Sequence, residues 1–285
     1  MNLEEQLAWE RRVGRLAAAA AVGSALLLLA STIFLSATID DQPEGTRGFL
    51  VVVERQSSDF LIAGILQSLG VLLLGAALAF LYRATKFRRP QLPRLAQPLA
   101  LLGPVTFALV AILRQLELTD VADLFTASGP RSEARADDLL KGGSLAVISG
   151  VGLAAALALG FALVLINLNA MRAGLLSRFM GIIGIIVGVL YVLPLGGPQV
   201  VQLFWLGALA ALFLGFWPGG RGPAWETGRE APWPSAAERR GLASAESRLD
   251  APQSNDQPAA TEPSATAPDV EVPPVPARRK RKRRA

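Results

Sequence analysis

The chain has 285 residues, 28 of them Lys or Arg and 23 Asp or Glu, for a formal net charge of +5, and it contains neither cysteine nor histidine. Lack of cysteine removes disulfides, thiolate metal sites, iron–sulfur clusters and thiol nucleophiles, and lack of histidine removes the commonest transition-metal ligand and the usual general base near neutral pH. Hydrophobic residues still make up 52% of the sequence, although residues 221–285 are polar, so the apolar side chains are gathered into long neutral runs.

A bilayer core about 30 Å thick needs roughly 20 apolar residues as helix, with every backbone polar group paired inside the segment. The first such run, 16–39, follows Arg11, Arg12 and Arg15. It is longer than the apolar region of a signal peptide, roughly 7–15 residues, and predicts a retained helix. Residues 40–59 form a polar loop carrying Phe49-Leu50-Val51-Val52-Val53, a β-prone run that predicts a strand or extended segment. The second span is 60–82 and the third 95–113, where Pro98 and Pro104 each remove a backbone donor and predict a bend.

In the next loop Leu116, Leu118, Val121, Leu124 and Phe125 alternate with Glu117, Asp120 and Asp123, the pattern of a short interfacial helix. The fourth span is 142–169. Residues 179–220 then carry no charge, and Pro194-Leu195-Gly196-Gly197-Pro198 divides them into spans at 179–195 and 199–217 joined by a tight hairpin. The expected fold is all-α: a short N-terminal segment (1–15), a six-helix transmembrane bundle (16–220) and a disordered C-terminal tail (221–285).

Cations set the expected orientation. Arg11, Arg12, Arg15, Arg83, Lys86, Arg88, Arg89, Arg94, Arg172, Arg178, Arg221 and Arg229 fall on one side; Arg47, Arg55, Arg114, Arg131, Arg135 and Lys141 fall on the other, amid the acids of the two long loops. Both termini are therefore expected in the cytoplasm. In the tail, Trp217, Trp225 and Trp233 recur every eight residues; Trp217 is expected to anchor the last span and the other two to graze the headgroups. The terminal run Arg278, Arg279, Lys280, Arg281, Lys282, Arg283 and Arg284 is expected to bind anionic lipid headgroups at about 1 kcal/mol per cation near the surface. It has no interleaved aromatics or folded basic face to support nucleic-acid recognition.

Inside the spans the polar residues are neutral, and their first reading is hydrogen bonding between helices. Ion coupling or proton relay would require a buried ionisable group, and the spans contain none. Gly184 and Gly188 in span five, and Gly207, Ala211 and Gly215 in span six, predict close packing of those two helices, with a homodimer contact as the alternative.

The stretch Asn167-Leu168-Asn169-Ala170-Met171-Arg172-Ala173-Gly174-Leu175-Leu176-Ser177-Arg178-Phe179-Met180-Gly181, with Trp217-Pro218-Gly219-Gly220, Pro223-Ala224-Trp225 and Pro232-Trp233-Pro234-Ser235, resembles a group of uncharacterised bacterial polytopic membrane proteins. The resemblance covers mainly residues 142–240. It implies a multi-pass protein of the plasma membrane and carries no cofactor, metal or catalytic residue with it.

The residues favour a non-enzymatic plasma-membrane protein that acts by interaction through its cytoplasmic tail, with the bilayer and a protein partner or second copy as its contacts. The alternative is a carrier or channel for a neutral or weakly polar solute, with Gln67, Gln97, Thr106 and Asn167 as lining groups.

Overall fold

A computed structural model describes residues 2–38, 43–193, 199–218, 220–233 and 238. These form helices α1 (Leu3–Thr38), α2 (Gly45–Arg55), α3 (Ser57–Arg88), α4 (Ala96–Ala127), α5 (Glu133–Lys141), α6 (Gly143–Arg172), α7 (Arg178–Val192), α8 (Gln199–Leu214) and α9 (Pro223–Thr227), with no strand among the described residues. Met1–Ser235 make one compact unit.

Four helices, α1, α3, α4 and α6, are long and apolar enough to cross a membrane. With 30 to 36 residues each, they run about 45–54 Å and project beyond a hydrocarbon core of about 30 Å. Helices α7 and α8 are as apolar but have 15 and 16 residues, about 22–24 Å of helix. The expected hairpin at 194–198 lies outside the described residues, as do the expected disordered tail beyond 238 and its seven terminal cations.

Helix α1 packs on α3, α3 on α4, α4 on α6, α6 on α7, α7 on α8, and α8 back on α1, which closes a ring. Each step of the ring from α1 to α7 is antiparallel and rests on small residues. Ser31 Oγ donates to Ala63 O at 2.8 Å, and Ser68 Oγ to Ala108 O at 2.9 Å. A side chain at Gly103 would strike the Leu159 backbone, and one at Gly75 the Pro104 ring. Pro104 is thus housed by a glycine of α3, while Pro98 sits in the first turn of α4, where a missing donor costs little.

The outward faces are apolar. Leu16, Leu26 and Ile33 of α1, Leu69 and Leu72 of α3, Leu102, Val105 and Leu109 of α4, Val147 and Phe161 of α6, Ile182 and Ile186 of α7, and Val200 and Phe204 of α8 are all exposed. A surface this apolar has lipid as its natural solvent.

Two loop expectations are corrected. Phe49 to Val53 are helical, within α2, because an isolated strand would leave its backbone groups unpaired while a helix satisfies its own. The i, i+3 pair Leu50 and Val53 is fully buried against Phe60, Leu118, Ala122, Phe125 and Ala136. Glu133 of α5 accepts from the first free donors of α2, Thr46 N and Arg47 N. The expected separate interfacial helix at 116–125 is instead the last three turns of α4, whose residues Leu118, Ala122 and Phe125 complete the same cluster. Arg135 of α5 caps that end, donating to Leu124 O at 3.2 Å and to Ser128 O.

Candidate functional site

A half-open cavity of about 690 Å³ lies between the helices at the distal end of the bundle, the end where α1 finishes. It is bounded by the start of α3 (Phe60, Gln67), the middle of α4 (Phe107 to Leu118), the first half of α6 (Ile148 to Ala156), the end of α7 (Val187 to Leu193) and Gln202 of α8, with Leu35 and Phe49 above. Its walls are mostly apolar, as in pockets for small molecules, and a few polar groups converge on it.

Those polar groups are Gln67, Arg114, Gln115, Ser149, Tyr191 and Gln202. Gln202 Nε2 donates to Tyr191 Oη at 2.7 Å, tying α8 to α7, and the Tyr191 ring meets Phe107 edge-on at 5.8 Å. Gln115 is pressed against Gly64, where any side chain would meet its Cγ. Its amide oxygen is buried without a hydrogen-bond partner. Arg114 is exposed at the edge. The chamber offers amide, hydroxyl and phenol groups to an occupant, and Arg114, its one lining cation among the described residues, lies at the rim.

The opposite, proximal end is closed by a polar and aromatic lock. Glu10 of α1 and Arg88 of α3 pair there in a buried ion pair, and Arg88 Nε also donates to Ala224 O at 2.8 Å. Trp225 of α9 is 5% exposed; its Nε1 donates to Leu175 O at 2.9 Å, and its ring stacks on Phe80 at 6.0 Å. The guanidinium of Arg221 lies over the same indole at 5.0 Å, its Nε and Nη2 without partners. Burial pulls the Arg221 pKa below its ordinary value, the Glu10 carboxylate opposes that shift, and the Arg88 charge adds to it.

This lock corrects the expectation for Trp225 and for the start of the tail. The indole belongs to the protein core, and residues 221–233 are packed onto the bundle. Gly174, at φ +78°, and Gly222 leave space that Ala231 O and the Trp233 ring occupy, and Ala231 N donates to Ala173 O at 3.3 Å.

The sequence-derived packing residues are distributed unevenly. Gly184 and Gly188 of α7 face α6: a side chain at Gly184 would overlap Asn167, and one at Gly188 would meet Gly160 O and Leu163. Their partner is α6, where the sequence suggested α8. Gly207 is exposed with open space around it, Ala211 is half-buried, and Gly215, at φ +86°, lies just after the last turn of α8. Of the four suggested lining groups, Gln67 lines the cavity. Asn167 is buried between α6 and α7, its Nδ2 donating to Leu163 O at 2.8 Å, and Gln97 lines a second groove at the proximal end.

Arg114 and Gln115 were missed as lining groups because they follow the neutral run that ends at Leu113 and read as loop. The signal that could have found them is the i, i+4, i+7 recurrence of Leu118, Ala122 and Phe125, which continues the helix past the charge. No group of His, Cys, Asp and Glu suited to a metal ion occurs among the described residues. No family model, curated protein or solved structure matches the chain.

Proposed function

We propose that the protein is a non-enzymatic, multi-pass protein of the bacterial plasma membrane that binds a neutral or weakly polar small molecule in its distal cavity and carries it through the bundle. The observation that carries this reading is the cavity of about 690 Å³, whose mostly apolar wall carries the amide, hydroxyl and phenol side chains of Gln67, Gln115, Ser149, Tyr191 and Gln202. A pocket of that size, within the roughly 300–1,000 Å³ of small-molecule sites, selects its occupant by a few placed hydrogen bonds. Its neutral amides and hydroxyls suit alcohols, amides and other uncharged polar groups. The cation count supports both termini in the cytoplasm and the distal end outside, with α7 and α8 as spans five and six.

The test is solute flux in proteoliposomes containing the full chain, with Ala156→Phe filling the cavity and thermal unfolding in detergent confirming that the variant folds. Flux of a small uncharged solute that Ala156→Phe abolishes supports the reading. Rates equal to those of empty liposomes for a panel of alcohols, amides and polyols would leave an interaction protein with the tail as its contact arm. With 221–233 packed on the bundle, that arm begins beyond residue 233.

A further inference from the structure

The two ends of the bundle differ: the distal one holds a half-open chamber and the proximal one is shut. From Gln67 in the chamber wall to Arg88 in the lock, α3 runs about 32 Å. Leu74, Leu78, Leu163, Ile166, Leu206 and Leu209 fill the bundle between them, each 0% exposed. Interiors packed in this way leave no channel for a solute. Passage to the other side therefore requires the proximal ends of the helices to part.

Those ends are tied by one short strap, residues 220–233. Its Ala224 O accepts from Arg88 Nε of α3 at 2.8 Å, and its Trp225 Nε1 donates to Leu175 O, in the turn between α6 and α7, at 2.9 Å. The Trp225 ring lies 6.0 Å from both Phe80 of α3 and Phe213 of α8, stacked on the first and edge-on to the second. Glu230 pairs with Arg89, and Ala231 N donates to Ala173 O at 3.3 Å. A side chain at Gly228 would strike Leu3 of α1. The strap thus touches α1, α3, the α6–α7 turn and α8 at once. Its own helix, α9, has five residues, too few to hold itself in water. Docking is what keeps the strap folded, so it comes away as a unit.

We propose that this strap is the latch of the proximal gate: docked, it holds the ends of α1, α3, α6 and α8 together beneath the open chamber, and its release lets them part so that the solute leaves on the cytoplasmic side. The inference rests on the carrier reading above and assigns its regulation to residues 220–233.

The test uses the full chain in lipid nanodiscs, where both faces of the bilayer meet an impermeant methanethiosulfonate, and reads the modification rate of single cysteines. Ala77→Cys replaces a residue 1% exposed on α3, about 15 Å of helix from both Gln67 and Arg88, so loss of the strap alone does not uncover it. Ser149→Cys reports the distal chamber, and Ala122→Cys, at a position 0% exposed in the distal cluster, reports general loosening. With the strap intact, Ser149→Cys is expected to react and the other two to be slow. Trp225→Ala should speed Ala77→Cys about tenfold, in proportion to the population opened at the proximal end, and leave Ala122→Cys unchanged.

Glu230→Lys with Ala231→Pro sets a like charge beside Arg89 and removes the donor to Ala173 O, without deleting a buried side chain. It should act in the same direction, and it decides the matter if Trp225→Ala does not fold. Ala77→Cys unchanged in a variant whose strap trypsin cuts at Arg229 would overturn the latch and leave the carrier reading standing. Equal gains at Ala77→Cys and Ala122→Cys would also overturn it, as loosening of the whole bundle. A Ser149→Cys that stays unreactive with the strap intact would remove the open chamber, and with it the carrier reading and the latch together.

Discussion

Arg88 grips Glu10 with two hydrogen bonds, Nη1 to Oε1 at 2.5 Å and Nη2 to Oε2 at 2.9 Å, although 78 positions separate them. Their side chains are 0% and 3% exposed. A third bond from Arg88 Nη1 to Ala84 O at 3.1 Å, and that from its Nε to Ala224 O, leave the guanidinium well satisfied. One residue thus ties α1, α3 and the segment after α8 together beneath the bundle. A buried pair contributes little over an apolar substitute, but removing one partner strands the other charge.

Glu10→Ala or Arg88→Ala is therefore expected to cost about 3–5 kcal/mol, read as a large fall in thermal unfolding midpoint in detergent. Glu10→Met with Arg88→Met should recover much of that loss. Arg88→Lys should resemble the alanine variant, since an ammonium cannot supply the bidentate fork.

Trp225→Ala is expected to cost about 3–5 kcal/mol as a buried aromatic. It should also release residues 221–233 from the bundle. Limited proteolysis is the readout: cleavage near Arg229 should become fast in the variant while the helices stay intact. Resistance equal to wild type would show that the Leu175 and Phe80 contacts do not hold this segment.

Gly184→Leu and Gly188→Leu should each destabilise by at least the 1–3 kcal/mol typical of overpacking, because Asn167 and the Gly160 carbonyl occupy the space. Gly207→Leu, with open space around the site, should be near neutral. The contrast separates α6–α7 packing from an α7–α8 seam, and equal effects at all three positions would contradict it.

What was legible in the sequence was the set of long neutral runs, because a bilayer imposes length and apolarity on each segment by itself. α3 contains the second expected span, while α1, α4 and α6 match the first, third and fourth to within one residue at one end and run beyond them at the other. Their extensions were not legible, since charge ends a hydropathy run without ending a helix. Leu118 to Phe125 stay in α4 because Leu50 and Val53 of α2 bury them, a contact between segments more than 60 positions apart in sequence. Trp225 and Arg88 read as an interfacial indole and a loop cation because local composition carries no record of the Glu10 that pairs with Arg88, or of the Arg88 guanidinium that lies over the indole. The cavity combines Gln67, Gln115, Tyr191 and Gln202 from four helices, and no single segment encodes that meeting.

The cationic cluster from Arg278 to Arg284 is expected to bind by charge alone. A peptide of residues 273–285 should bind vesicles containing anionic lipid, ignore neutral ones, and lose affinity as the Debye length falls from about 10 Å at 0.1 M salt to about 3 Å at 1 M. An all-lysine cluster should bind comparably. A preference for RNA over anionic vesicles at physiological salt would replace the lipid reading.

The chain lacks cysteine, so single cysteines report the topology in intact cells. Ser57→Cys and Ser132→Cys are expected to react with an impermeant maleimide and Ser264→Cys is not; labelling of position 264 would reverse the assignment of sides.

The most direct measurement of the central claim is the reactivity of Ser149→Cys, a position in the cavity wall, toward a small impermeant methanethiosulfonate added outside intact cells. The account predicts modification from outside, slowed by Ala156→Phe and by any solute that the protein carries. A cysteine at 149 that stays unreactive in intact cells, yet reacts once the chain is unfolded, would contradict a ligand chamber open at the distal end.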